Sequence, residues 1–311
     1  MENIVFQIEG GIGKNVMATA VVRAIHNKYQ NSKIIIMTAH PDIWLCNPRV
    51  ERVLEFGKTP YFYKDYILNK DVKLCIQDPY RHEDYILKRK HLTQVWCELC
   101  GVEWDGERPE LYFTNLEFDF LTTIINKDSR PIFMIQPFGG AQGQGHKYSW
   151  ARDLPPSVAQ EVVNDMVKDH RVIQVRREDQ LALQGVEYLS LNPRQLALTL
   201  MLSDKRLFID SFMQHCAAAL GLESVVTWVA NQPEMLGYQV HQNITSSSVE
   251  AGEMRNSFYD PFDILGDPIQ LASQPNTLFD SKEIIIAIRT CKSTESKTEY
   301  LMPEFLMTDE K

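Results

Sequence analysis

Two stretches of the chain combine small and polar residues in a way suited to holding an anion. The first is Gln7-Ile-Glu-Gly-Gly-Ile-Gly-Lys-Asn15. Gly10, Gly11 and Gly13 lie between a β-rich run and a helical pattern, so the backbone can come close to a ligand, and the helix start favours negative charge. The stretch is not a P-loop: Ile8 stands where the first glycine is required, and Asn15 replaces the Ser or Thr after the lysine, Lys14. Nor is it a full dinucleotide fingerprint, because Val16 replaces the third glycine. A purely structural turn is the alternative reading. The second stretch runs from Arg206 to Gly221. A strand ends in Asp210-Ser211, and a helix of small residues (Phe212 onward, with Ala217, Ala218 and Ala219) follows at once. Ser211 suits an N-cap, which leaves N–H groups facing an anion, and His215 sits one turn in, able to reach a phosphate or to hold the loop.

The order of elements decides whether these stretches can meet. Asn3–Ile8 reads as a strand, Asn15–Tyr29 as a helix with apolar residues at 17, 21, 22 and 25, and Lys33–Thr38 as a second strand. That is a right-handed βαβ unit with parallel strands. Val53–Phe56 and Val72–Gln77 are expected strands, and 82–100 an expected helix. The polar break Asn126-Lys-Asp-Ser-Arg130 is read as a linker, after which the pattern restarts. Strands are expected at Pro131–Gln136, Arg171–Val175, Tyr188–Leu191, Arg206–Asp210 and Ser224–Ala230. Helices are expected at Ser157–Asp169, from Pro193 through Leu202, and at Met213–Leu220. Arg176 and Arg177 follow a strand at its C-terminal end, where α/β sheets place ligands. Asp280 and Ser281 can cap a last helix to about Thr290, with Glu283 in its first turn; an Ile-rich strand is the alternative. The fold class is therefore α/β, with two Rossmann-like doubly wound parallel-sheet domains at 1–128 and 129–292 and a flexible tail at 293–311.

Composition bounds the rest. The 311 residues suit two domains, 44% are hydrophobic and 23% charged, and the net charge is −9. An acidic chain repels nucleic acid at long range, so a DNA or RNA partner would need a local basic patch. Lys88-Arg-Lys-His91, with Arg81 upstream, is the one short candidate and reads more simply as a solvated face. Apolar runs are too short to cross a bilayer, and no signal peptide is read at the N-terminus, so a cytoplasmic location is expected. Six cysteines are sparse enough to be reduced thiols. Cys97-Glu-Leu-Cys100 has no second pair at zinc-ligand spacing and is read as core thiols on one helix face.

Asp210-Ser-x-x-x-His215 followed by Ala217-Ala-Ala-Leu-Gly221 resembles the Asp-Ser/Thr-Gly-x-x-His…Ala-Ala-Leu-Gly signature of glycosyltransferase family 9, the ADP-heptose:lipopolysaccharide heptosyltransferases. Gly11-Ile-Gly13 with Ala18–Ile25, Gln136-Pro-Phe-Gly-Gly140 with Lys147-Tyr-Ser-Trp150, and Thr227–Tyr238 agree with that family in order and spacing. The resemblance covers most of residues 1–240. It implies a GT-B fold, with a nucleotide-sugar site between two Rossmann-like domains. It also implies inverting transfer to a glycan or glycolipid acceptor, and diphosphate binding by Asp210–His215 and Lys147. Lys147 would offset leaving-group charge, a role that implies no metal and no cofactor.

Two positions depart from the family pattern. Phe212 replaces a glycine, and Lys14 replaces the aspartate expected to be the general base. A protonated lysine cannot accept a proton from a hydroxyl. Glu9, in the same turn, and Asp78 or His82 in Asp78-Pro-Tyr-Arg-His82 are the candidate bases. Arg81 and Lys88-Arg-Lys90 would suit an anionic acceptor, and a glycolipid acceptor would bring peripheral membrane contact. The alternatives are a catalytically impaired relative that binds nucleotide or sugar, a GT-B enzyme acting on modified DNA bases, or a GT-B sugar-nucleotide epimerase. The oligomeric state leaves no sequence signal.

Overall fold

The computed structural model describes residues 2–125, 128–139, 152–246, 278–292 and 301–302. The first half contains β1 (Asn3–Ile8), α1 (Ile12–Lys28), β2 (Lys33–Thr38), β3 (Arg52–Glu55), β4 (Val72–Cys75), α2 (Glu83–Ile86), α3 (Leu92–Leu99), β5 (Phe113–Thr114) and α4 (Asn115–Ile125). The second contains β6 (Ile132–Gln136), α5 (Pro156–Met166), β7 (Arg171–Gln174), α6 (Pro193–Thr199), β8 (Lys205–Ile209), α7 (Phe212–Ala219), β9 (Val225–Trp228), α8 (Pro233–Leu236), β10 (Gln242–Thr245) and α9 (Ser281–Thr290). A last two-residue strand, β11 (Leu301–Met302), pairs in parallel with β5.

Four strands form one sheet in the order β3-β2-β1-β4 and five form another in the order β10-β9-β8-β6-β7. Every pairing within them is parallel. Parallel strands are covered on both faces, which is why β1, β6 and β9 read as continuous apolar runs rather than alternating ones. The strand order reverses between β1 and β4 in the first sheet and between β6 and β8 in the second. These are the topological switch points, where neighbouring crossovers leave in opposite directions and open a crevice at the strands' C-terminal ends.

Two sequence expectations need correction. The expected helix over 82–100 is two helices. Lys88, at φ 54, ends the first, and the ring of His91 starts the second by accepting from the Thr93 N–H at 3.2 Å. The expected strand at Tyr188–Leu191 is absent, because pairing there stops at one bridge between Ile173 and Glu187. α4 forms although no cap signalled it, since Leu121 and Ile125 are buried in the main core. The last helix does form: Asp280 accepts from the Lys282 N–H, and Ile284 and Ile288 are fully buried beneath it. Cys97 and Cys100 are buried core thiols, and all six cysteines are free.

One core cluster runs through both halves, joining α1 and β1 to α6 and α7. Its polar clamp is Arg194 on α6, only 5% exposed. The guanidinium grips Glu117 of α4 with two bonds of 2.6 and 3.0 Å and donates to the carbonyls of Tyr112 (2.7 Å) and Asp42 (3.2 Å). It also lies 4.6 Å from the Phe113 ring centre. Burial opposes the charge on Glu117, but Arg194 and the Thr114 N–H outweigh it and hold the carboxyl below its ordinary range. Truncation in Arg194→Ala removes the partner of a half-buried carboxylate that water can still reach and leaves the Tyr112 and Asp42 carbonyls without their donor, so a loss of about 1–3 kcal/mol is expected. Urea unfolding checks this; a loss below about 0.5 kcal/mol would show that water replaces the clamp.

Candidate functional site

Both predicted anion-holding stretches lie at switch points. The glycine turn leaves β1 and the Asp78 loop follows β4, on either side of the first crevice. Asp210-Ser211 leaves β8, and the loop beginning at Pro137 leaves β6, on either side of the second. The two crevices meet. A Cβ added to Gly13 would lie 3.0 Å from Cδ2 of His215 and 3.3 Å from Cα of Phe212, so the first turns of α1 and α7 touch. Gly13 is therefore a close-approach glycine between two helix starts. Gly10, at φ 102, supplies the left-handed turn that swings β1 into α1, while Gly11 sits at the helix cap with open space above it.

Lys14 lies almost buried at the mouth, its side chain 8% exposed, and its ammonium donates to Oδ1 of Asp78 at 2.7 Å. The rings of Tyr80 and Trp96 lie 5.1 and 5.3 Å from the same nitrogen. Oδ1 of Asp78 also accepts from the Tyr80 N–H at 3.3 Å, while Oδ2 has Arg81 at 3.9 Å. Burial raises the Tyr80 phenol, with the charges of Asp210 and Asp78 acting in the same direction and Arg152 against it. Asp210 is 8% exposed and accepts from the Asn231 amide. Burial raises its carboxyl, against Arg152 and that hydrogen bond.

Other expected site residues have structural work. Asn15 is fully buried and ties the turn to its surroundings, accepting from Thr38 (2.5 Å) and the Trp44 indole (3.1 Å) and donating to the Gly11 carbonyl. His82 caps α2, its Nδ1 accepting from the Asp84 N–H, which occupies the lone pair a base would use. Glu9 is exposed and accepts from Gln7. Ser211 stands at the N-cap of α7 but makes no side-chain cap bond; its hydroxyl accepts from Gln136, and the other end of that amide takes the Met213 N–H at 3.4 Å. Sequence reasoning quoted Gln136 without giving it this role. His215 bonds Tyr238 at 2.9 Å and is buried, so it holds the loop rather than facing solvent.

Arg176 donates to two carbonyls of its own loop and stacks 4.4 Å over Tyr188, and Arg177 pairs with Asp179. Their loop is pinned to the one after β6, because Gln180 takes the Arg177 N–H and donates to the Gly139 carbonyl. Gly139 itself donates to the buried Asp153 at 2.7 Å. Lys147 lies outside the described residues. Among the described residues no group of three or more His, Cys, Asp or Glu side chains is arranged to hold a metal ion. No helix there is long and apolar enough to cross a membrane.

Two all-parallel α/β sheets with facing switch points define the GT-B glycosyltransferase fold. Among solved structures, the chain is similar to a glycosyl transferase of family 9 from Veillonella parvula DSM 2008, with a TM-score of 0.64 and 11% identity over 93% of this chain and 96% of that one. It is similar also to the E. coli ADP-heptose lps heptosyltransferase II (TM-score 0.56, 14% identity, 79% and 90% covered). A third is the E. coli heptosyltransferase WaaC with ADP (TM-score 0.53, 12% identity, 82% and 98% covered). At these identities the likeness is one of fold. No protein-family model matches the chain, and comparison with curated proteins gives no match.

Proposed function

We propose that the chain is a glycosyltransferase that takes a sugar from a nucleotide-sugar donor, heptosyltransferase-like in its donor chemistry, and passes it with inversion to a glycan or glycolipid hydroxyl. The observation that carries this reading is the meeting of the two switch points at Gly13, Phe212 and His215. That meeting brings two helix starts and a ring of polar side chains to one crevice, a place suited to a diphosphate. The donor would lie against Ser211 and the start of α7, with Lys147 offsetting leaving-group charge without a metal. The acceptor would enter from the β4 side. Asp78 is the base best supported: it stands at the crevice, among the described residues its Oδ2 has no partner closer than Arg81, and its Oδ1 is oriented by Lys14 and the Tyr80 N–H. Inversion needs one displacement, so no protein nucleophile is required.

The Lys14–Asp78 pair also favours a second reading, in which that carboxylate is structural and the cleft binds a nucleotide without turnover. A nucleic-acid acceptor has less support, because the short basic run is neutralised at home: Lys90 pairs with Asp84 and Glu98, and Arg89 with Glu83.

Thermal melting with ADP, UDP, GDP, CMP and dTDP, free and as sugar conjugates, tests the donor site. A ligand at about a hundred times its Kd adds about 2.7 kcal/mol, a readable shift. One series is expected to shift the melt and Lys147→Ala to remove the shift. If no nucleotide shifts it, the donor reading is wrong; if one does and no sugar is released or transferred, the binding-module reading replaces the transferase.

A further inference from the structure

Outside the cleft, two thiols meet across an element boundary. Cys75 ends β4 and is paired in register with Phe6 of β1. The Phe6 ring lies 5.2 Å from Trp96 of α3, so α3 crosses the sheet at the level of Cys75. The helix ends at Cys100, and a Cβ on the next residue, Gly101, would sit 3.4 Å from Nζ of Lys73 on β4. Cys75 and Cys100 belong to one core cluster and are each 2% exposed. The Cys100 N–H donates to the Trp96 carbonyl at 3.1 Å, so Cys100 lies one turn beyond Trp96 on the same side of the helix, and Cys75 shares a sheet face with Phe6; the two cysteines therefore face each other across the strand–helix contact. Cys100, helped by Lys73, lowers Cys75 against its burial, whereas burial, with Asp105 adding to it, pushes the neighbouring Cys97 up to about 12. The pair is therefore asymmetric, with a nucleophilic sulfur on Cys75 and a proton held on Cys100. β4 is an outermost strand of its sheet. Local opening of an edge is far less costly than global unfolding and gives a small oxidant access.

We propose that Cys75 and Cys100 form an oxidation site, a dithiol that a hydroperoxide converts to an intramolecular disulfide. The Cys75 thiolate attacks the terminal oxygen of the hydroperoxide. The O–O bond breaks, the leaving oxygen takes a proton, and Cys75 becomes a sulfenic acid. The Cys100 sulfur then attacks the Cys75 sulfur, the S–S bond forms, and the sulfenic oxygen leaves as water with the Cys100 proton. Two thiols lose two electrons in total and the hydroperoxide gains them. The cross-link ties β4 to the end of α3. Three residues beyond Cys75 lies Asp78, and α3 carries the Trp96 ring that faces Lys14, so the bond pulls on both members of the Lys14–Asp78 pair. This last consequence, reduced transferase activity that a dithiol restores, rests on the proposed function; the cross-link itself does not.

The experiment exposes the full chain to hydrogen peroxide, blocks remaining thiols with N-ethylmaleimide under denaturing conditions, and reads intact mass and a non-reducing peptide map. The expected result is a fall from six blocked thiols to four, a linked Cys75–Cys100 peptide pair, and reversal by dithiothreitol. Cys75→Ser and Cys100→Ser abolish the link and Cys97→Ser leaves it. Six blocked thiols after peroxide, a link through other cysteines, or over-oxidation of Cys75 with no link each overturn the proposal, and the wild-type map decides even if a variant fails to fold. A link that forms in a protein without transferase activity would refute the functional reading alone.

Discussion

Asp78→Asn is expected to lower kcat by about 10²–10⁴-fold, the usual contribution of a positioned general base, while leaving the nucleotide-induced melting shift intact. Asparagine keeps the shape and can still accept from Lys14 and the Tyr80 N–H, so fold and donor binding are spared while proton acceptance is lost. The Lys14 variants separate this role from a structural one. Lys14→Met removes the cation that orients Asp78 and should cost less than Asp78→Asn. Lys14→Asp puts an aspartate where the family pattern has one, yet the shorter side chain removes the ammonium that Asp78 now meets at 2.7 Å and leaves two carboxylates facing one crevice with no cation between them. Like charges sharing a site disfavour ionisation of both, so Lys14→Asp is expected to lose activity. A gain from Lys14→Asp, or an Asp78→Asn enzyme with wild-type kcat, would move the base elsewhere, with Glu9 the next carboxylate to test.

The elements around the site were readable because the physics that forms them is local. The short apolar runs of β1, β6 and β8 and the period-3.6 pattern of α1 lie within single elements, and their glycine and Asp-Ser junctions mark the switch points without any knowledge of strand order. What escaped depends on residues far apart in sequence. Lys14 and Asp78 are 64 positions apart, and nothing in either neighbourhood announces that one neutralises the other. Asn15 and Gly13 looked like ligand contacts because buried hydrogen-bond hubs and helix–helix close approaches use the same small and amide-bearing residues as anion sites. The run from 82 to 100 looked like one helix because a histidine ring is a weak N-cap signal, and two of them, His82 and His91, do that work here. Tyr188–Leu191 has strand composition but only one paired position beside β7; composition does not supply the partner strand.

Acidification below about pH 6 is expected to unfold the chain steeply, through three histidines that gather where the halves meet. His91 of the first half and His215 and His241 of the second surround Tyr238, with ring centres 5.9, 5.6 and 6.0 Å from it. The hydrogen bonds require neutral imidazoles. His91 accepts at Nδ1 from the Thr93 N–H, so its proton is on Nε2, which faces the Gly237 carbonyl at 3.2 Å; a second proton on Nδ1 would point at a donor. His241 gives its Nε2 proton to the Gln214 carbonyl, and its Nδ1 is buried with no partner among the described residues. Burial depresses all three: His91 and His241 to about 4 and His215, which also feels the other two, to about 3. An unfolded histidine titrates near 6.5. Above that pH all three are neutral in both states and add no pH dependence. As pH falls from about 6.5 towards about 4, the unfolded chain takes up as many as three protons that the folded chain refuses. Stability then falls by up to about 4 kcal/mol per pH unit, three times the single-proton slope. The carboxylates held low, such as Asp169 at about 2, where Arg289 and His170 hold the charged form, titrate in a lower window and do not mask the effect. Urea midpoints at pH 7.5 and 5.0 read it directly. His241→Gln, which keeps a donor towards the Gln214 carbonyl and cannot protonate, should make the dependence shallower by about one proton. Coincident midpoints at the two pH values would mean that the cluster is already open to solvent, and that the contact between the two switch points is not held by neutral rings.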